Sequence, residues 1–141
     1  MTNIEKARVI GRYVGCECKY YLNSGKNYKA FIAGSVMEFV VTYQKIDKWG
    51  QGNFWTHIAN DVHPILRSID EISDVELVKI CKEYLEEMYC YISKKDIIGW
   101  VLDKELHYKL ADYLRFIGID IDNLIAVGIA IKKPEDNEKT T

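Results

Sequence analysis

The hydrophobic pattern changes its period partway along this chain, and that change limits it to few architectures. Up to about residue 67 the apolar residues come in short runs rich in β-branched and aromatic side chains. From residue 73 they recur every three or four positions. The joint between the two halves reads His63-Pro64-Ile65-Leu66-Arg67-Ser68-Ile69-Asp70-Glu71-Ile72-Ser73. A strand half followed by a helical half predicts an α+β fold: a small, mainly antiparallel N-terminal sheet, with a partial barrel as one form of it, packed against C-terminal helices.

In the first half, residues 4–13 predict a short opening helix. Residues 16–22 and 28–33 predict a hairpin closed by the turn Asn23-Ser24-Gly25-Lys26-Asn27. Gly34-Ser35 is expected to break the returning strand, and a new strand to run over 36–46. Residues 47–53 are expected to form a loop, 54–58 a further strand, and 62–67 an extended edge segment, since Pro64 favours that conformation before it. That edge is a place where two copies of the chain could pair as a homodimer.

The second half carries local signals that agree with one another. Ser73 and Glu76 have capping-box spacing, as do Ser68 and Glu71, and Ile72 and Leu77 are placed as a hydrophobic staple. A helix over 74–92 is expected to bury Val78, Cys81, Leu85, Met88 and Ile92. Another starts near Asp103, with Leu106, Leu110, Tyr113, Leu114 and Ile117 on one face and Gly118 as its stop. Asp120 is expected to cap a short helix holding Leu124 and Ile125, closed by Gly128.

A chain of 141 residues that is 48% hydrophobic has enough apolar surface for one core. A single domain is therefore expected over 1–134 (β-rich over about 14–67, helical over about 73–131), with a frayed polar tail at 135–141. The net charge of −2, from 19 basic and 21 acidic residues, gives no long Lys/Arg block and no strong case for nucleic acid as partner. No apolar run is long enough to span a bilayer, and the first residues lack the apolar core of a signal peptide. The expected location is the cytoplasm, of the host cell if the gene belongs to a phage, with the four cysteines reduced.

Motifs that would carry chemistry fail on spacing. Cys16 and Cys18 share one side of a strand, but Cys81 and Cys90 lie on opposite faces of a helix, roughly 13 Å apart. No pair has the gap of a zinc knuckle, so buried structural thiols are the reading. Gly50-Gln51-Gly52 lacks the third glycine of a dinucleotide loop, and Asp120-x-Asp122-Asn123 lacks the glycine and distal Glu of a calcium loop. His57, Asp61 and His63 are the remaining ligand or acid–base cluster, a weak alternative metal site set against a plain surface turn. His107 is expected on an exposed helix surface. No cofactor is expected. Trp49, Gly50, Gln51, Gly52, Asn53, Phe54 and Trp55 form an aromatic segment with two readings. In the plainer one Phe54 and Trp55 plug the sheet core; in the sharper one Trp49, Asn53, Phe54 and Trp55 are a contact patch.

The joint block resembles a segment of uncharacterised proteins from phages and prophages of gut anaerobes. It departs from their usual pattern at His63 and at Ser68-Ile69. Tyr113-Leu114-Arg115-Phe116-Ile117-Gly118-Ile119-Asp120 with Leu124-Ile125-Ala126-Val127-Gly128-Ile129-Ala130-Ile131 resembles their ends, and Tyr13-Val14-Gly15-Cys16-Glu17 is a weaker likeness. The resemblance implies a mobile-element origin and a strand-then-helix domain, and brings no activity with it. The expected function is a non-catalytic accessory protein that binds a host or phage protein, inhibition of a bacterial defence system being one form of that. The alternatives are a small-ligand or nucleotide binder and a metal-dependent hydrolase using His57, Asp61 and His63.

Overall fold

A computed structural model of the protein describes residues 1–45, 52–84 and 93–134. Helix α1 (Asn3–Ile10) opens it. Thr2 Oγ1 accepts from the Glu5 N–H at 3.2 Å, and Glu5 returns the bond to the Thr2 N–H at 3.1 Å. Five strands follow: β1 (Glu17–Tyr21), β2 (Asn27–Val36), β3 (Phe39–Lys45), β4 (Gly52–Ile58) and β5 (Val62–Ser68). The predicted β1–β2 hairpin is present, with Gly25 at φ +84° in its turn.

The strands lie in the order β4-β3-β2-β1-β5, all antiparallel. Only three residues, Ala59–Asp61, separate β4 from β5 in the chain, although three strands lie between them in the sheet. Four Cα steps reach at most about 15 Å, while four strand spacings in a flat sheet come to about 19 Å. The sheet must therefore curl. The rings of Tyr20 on β1 and His57 on β4 confirm it: they stack at 4.1 Å, where flat geometry would set their strands about 14 Å apart.

Helix α1 lies against β2, β3 and the Ala59–Asp61 turn, on the inner side of the curl. Ala7 and Ile10 are buried there with Cys18, Ala30, Ile32, Val40, Val62 and Leu66 from the strands. Alternation along each strand sends the intervening residues to the outer side.

Two expectations about the strands need correction. Gly34-Ser35 does not end β2. The strand continues to Val36, with one extra residue between the pairs Ile32–Thr42 and Gly34–Val41, a bulge that the small residues accommodate. The turn instead falls at Met37 and Glu38, between paired Val36 and Phe39, with Met37 at φ +54°. The 62–67 segment is not a free edge either. Two short strands, β6 (Ile119–Asp120) and β7 (Ile131–Lys132), run parallel to β5 on the side away from β1. The homodimer expected there therefore loses its surface. Among the described residues, nothing pairs with the outer edge of β4.

The helices are α2 (Asp74–Tyr84), α3 (Lys94–Leu102) and α4 (Tyr108–Phe116). They build a second core from Ile72, Leu77, Ile80, Ile97, Leu110 and Leu114, closed by Ile119 and Ile121. Helix α2 buries Leu77 and Ile80, and Val78, expected inside, is 54% exposed. Leu85, Met88, Cys90 and Ile92 lie outside the described residues, as does the tail 135–141. The Ser73–Glu76 box is half formed: Ser73 Oγ accepts from Glu76 N–H, but the Glu76 carboxylate takes both Arg67 nitrogens at 2.9 and 3.0 Å. At Ser68 the hydroxyl accepts from Asp70 N–H, while Glu71 pairs with Lys132. The helix expected from near Asp103 starts later, as α4 at Tyr108 with His107 as its cap, and an unexpected helix, α3, precedes it, started by a reciprocal cap between Ser93 and Asp96. Gly118, at φ +82°, ends α4 as expected. Residues 124–128 form a turn rather than a short helix, anchored by Asp120, whose two oxygens accept from Leu124 and Ile125 N–H at 2.8 and 2.9 Å.

Candidate binding surface

The outer side of the sheet carries one ring on each of three neighbouring strands. Register sets Phe31 opposite Tyr43 and Tyr43 opposite Phe54, so the three form a row across β2, β3 and β4. Ring centroids are 5.5 Å apart in the first pair and 6.0 Å in the second. The opposite side of these strands is filled by Ala30, Ile32, Val40 and Thr42, all buried. Phe54 is 69% exposed, and Phe31 and Tyr43 are half-buried. The expectation that Phe54 and Trp55 plug the core is thus overturned. Strand alternation puts them on opposite sides, and Trp55, on the inner side at the edge, is itself 49% exposed.

One step along the strands from the aromatic row lies a basic one. Lys19 is paired with Lys29 across β1 and β2, and His63 with Lys19 across β1 and β5. Neither lysine has an ion-pair partner among the described residues. A groove of about 410 Å³ opens beside them, lined by Lys19, Lys29, Lys133 and Arg67, with Glu17 as its one acid. Phe116, 67% exposed at the end of α4, stands at the same groove. Charge divides along the chain: among the described residues, those up to 68 hold eight basic and four acidic side chains, the remainder nine basic and eleven acidic. The near-neutral total conceals this division.

A cavity of about 870 Å³ lies where the two cores meet. Two of its charged groups, Arg115 and Asp122, pair with each other. Arg115 donates to both oxygens of Asp122, at 2.9 and 3.0 Å, and the Tyr13 hydroxyl donates to Asp122 at 2.7 Å. Burial alone would raise the Asp122 carboxyl, but the bonds from Arg115 and Tyr13 outweigh it and hold it below the usual carboxylate range. Burial, then the Asp122 charge, pushes the Tyr13 phenol up, so it remains a donor. This network clasps the segment after α1 to α4 and the turn that follows.

The His57, Asp61 and His63 cluster does not assemble. His57 faces inward against Tyr20, and burial lowers its imidazole pKa, with Asp61 opposing. His63 lies on the outer side, its Nδ1 2.8 Å from the Ile129 carbonyl. Among the described residues, no three His, Cys, Asp or Glu side chains are grouped to hold a metal ion. Cys16 and Cys18 are buried, and burial pushes their thiols up to about 11 and about 12. Cys16 Sγ donates to the Arg115 carbonyl at 3.1 Å. His107 is exposed at the start of α4, as expected.

Of the expected contact residues, Asn53, Phe54 and Trp55 sit in β4, but only Phe54 is on the outer side; Asn53 and Trp55 alternate to the other, and Trp49 lies outside the described residues. Sequence reasoning did not single out Phe31, Tyr43, Lys19 or Lys29. Only strand register brings them together, and the β2–β3 turn that sets it bears no glycine or asparagine.

No family model, no curated protein and no solved structure matches the chain. Among the described residues, no helix is long and apolar enough to cross a membrane.

Proposed function

We propose that this is a non-catalytic binding protein that engages a macromolecular partner with the outer side of its sheet. The observation that carries the reading is the row of Phe31, Tyr43 and Phe54 on the sheet side opposite the core, with Phe54 69% exposed. Exposed aromatic rings grouped on a rigid sheet are the residues that dominate binding energy at interfaces. The acid–base groups that chemistry would need are committed elsewhere: Asp122 to Arg115 and Tyr13, and His57 to the inner side away from His63. The likeness of the 63–73 block to phage and prophage proteins supports a partner in an infected or lysogenic bacterial cell.

A photoreactive phenylalanine analogue tests the surface directly. Placed at position 54 in protein expressed in a bacterial host, it is expected to form macromolecular adducts on irradiation. Placed at position 108, where Tyr108 is equally exposed on α4, it is expected to form none. Adducts from 108 alone, or equally from both positions, contradict the reading.

A further inference from the structure

We infer that the partner of this surface is single-stranded nucleic acid, with bases stacked on Phe31, Tyr43 and Phe54 and phosphates held by Lys19, Lys29 and Lys133. The inference rests on the binding reading above and names its occupant. Two features of the wall select that occupant. The first is the separation of function between neighbouring rows: one ring per strand on β2, β3 and β4, and two lysines without ion-pair partners one step back on β1 and β2. That step is about 7 Å along a strand. A polynucleotide crossing the strands therefore meets rings for its bases and ammonium groups for its backbone at once. The combination of stacking platform and basic groove is how sequence-tolerant single-strand binders work.

The second feature is charge complementarity. The groove at the end of the row has Lys19, Lys29 and Lys133 against Glu17, with Arg67 held by Glu76. The described residues of the sheet half carry an excess of four positive charges and those of the helical half an excess of two negative ones. A polyanion is thus drawn to the sheet half, which orients it on approach. Duplex DNA fits less well. Its bases are already stacked on each other and unavailable to the rings, and its binding needs more phosphate contacts than this wall supplies. An apolar protein surface would use the rings but leave the two lysines unanswered.

Fluorescence anisotropy with the full chain and labelled oligothymidylate, oligouridylate and a blunt duplex tests this. Both single strands are expected to bind and the duplex to bind more weakly. With three phosphates neutralised, raising salt from 50 to 200 mM weakens single-strand binding roughly 20-fold. Lys19→Glu with Lys29→Glu is expected to weaken it about tenfold or more and to flatten the salt dependence. Tyr43→Leu with Phe54→Leu keeps apolar area but removes the rings. It is expected to weaken binding about tenfold or more with the salt dependence unchanged. Circular dichroism and an unchanged unfolding midpoint identify variants that retain the fold.

Three results overturn the inference: no anisotropy change up to about 10⁻⁴ M protein, the range of non-specific association; tighter binding of the duplex; or full binding by folded Tyr43→Leu/Phe54→Leu protein. Protein adducts from position 54 without oligonucleotide binding remove nucleic acid as the partner and leave the binding reading intact. Loss of the adducts as well removes both.

Discussion

Asp122 holds two parts of the molecule together with a single carboxylate. Its oxygens receive Arg115 and the Tyr13 hydroxyl, and its side chain is 19% exposed. Replacing it by Asn leaves Arg115, 12% exposed, with only the solvent-exposed Asp112 at 3.6 Å as counter-charge. Such a loss costs several kcal/mol when fully buried, and partial solvation reduces it here to about 2 kcal/mol at neutral pH. The carboxyl titrates lower in the folded protein than its unfolded value of about 3.9. Its contribution is therefore complete above about pH 4 and is lost as pH falls through the depressed folded value. Urea unfolding of the wild type and Asp122→Asn across pH should show a gap that is constant near neutrality and narrows below about pH 4. A gap that widens in acid contradicts the assignment. Nothing local in the sequence marked this residue. In sequence Asp122 fits only a fragment of a calcium-loop pattern, and Tyr13 stands 109 positions away.

The β2–β3 hairpin shows why elements were legible and their boundaries less so. The apolar runs that define the strands are strong, and β1, β2, β3 and β4 all fall on them. The turn is not signalled, since Met37 adopts a positive φ that glycine or asparagine usually occupies. Met37→Gly should relieve that strain and stabilise the protein by about 0.5–1 kcal/mol, read as a higher urea midpoint. A lower midpoint would show that the Met37 side chain, 76% exposed, makes up for its backbone. Helix α2 failed in a different way. Val75, Val78, Leu77 and Ile80 all fit an apolar period, and which stripe is buried depends on where Arg67 draws Glu76. Helix α3 went unread although Ser93 and Asp96 have cap spacing, because the apolar run after them is short.

At the scale of the whole molecule, the order of elements was legible and the working surface was not. The strand-then-helix division follows from hydrophobic period alone, and the α+β class follows from it. The curl needed the pairing order, because a three-residue link between β4 and β5 constrains the sheet only once β1, β2 and β3 are known to lie between them. Charge was misleading in the same way: a total of −2 is the sum of a basic sheet half and an acidic helical half. Phe54 was found as a candidate because it sits in a visibly aromatic segment. Its partners Phe31 and Tyr43 come from other strands. Titrating the ¹⁵N-labelled protein with oligothymidylate and following amide shifts separates the outer sheet wall from the cavity beside Arg115 most directly. The account predicts shifts concentrated in β1, β2, β3 and β4, around Lys19, Lys29, Phe31, Tyr43 and Phe54, with α3 and the first two turns of α4 silent. Shifts centred on Arg115, Asp122 and the helices, or none at all, would contradict it.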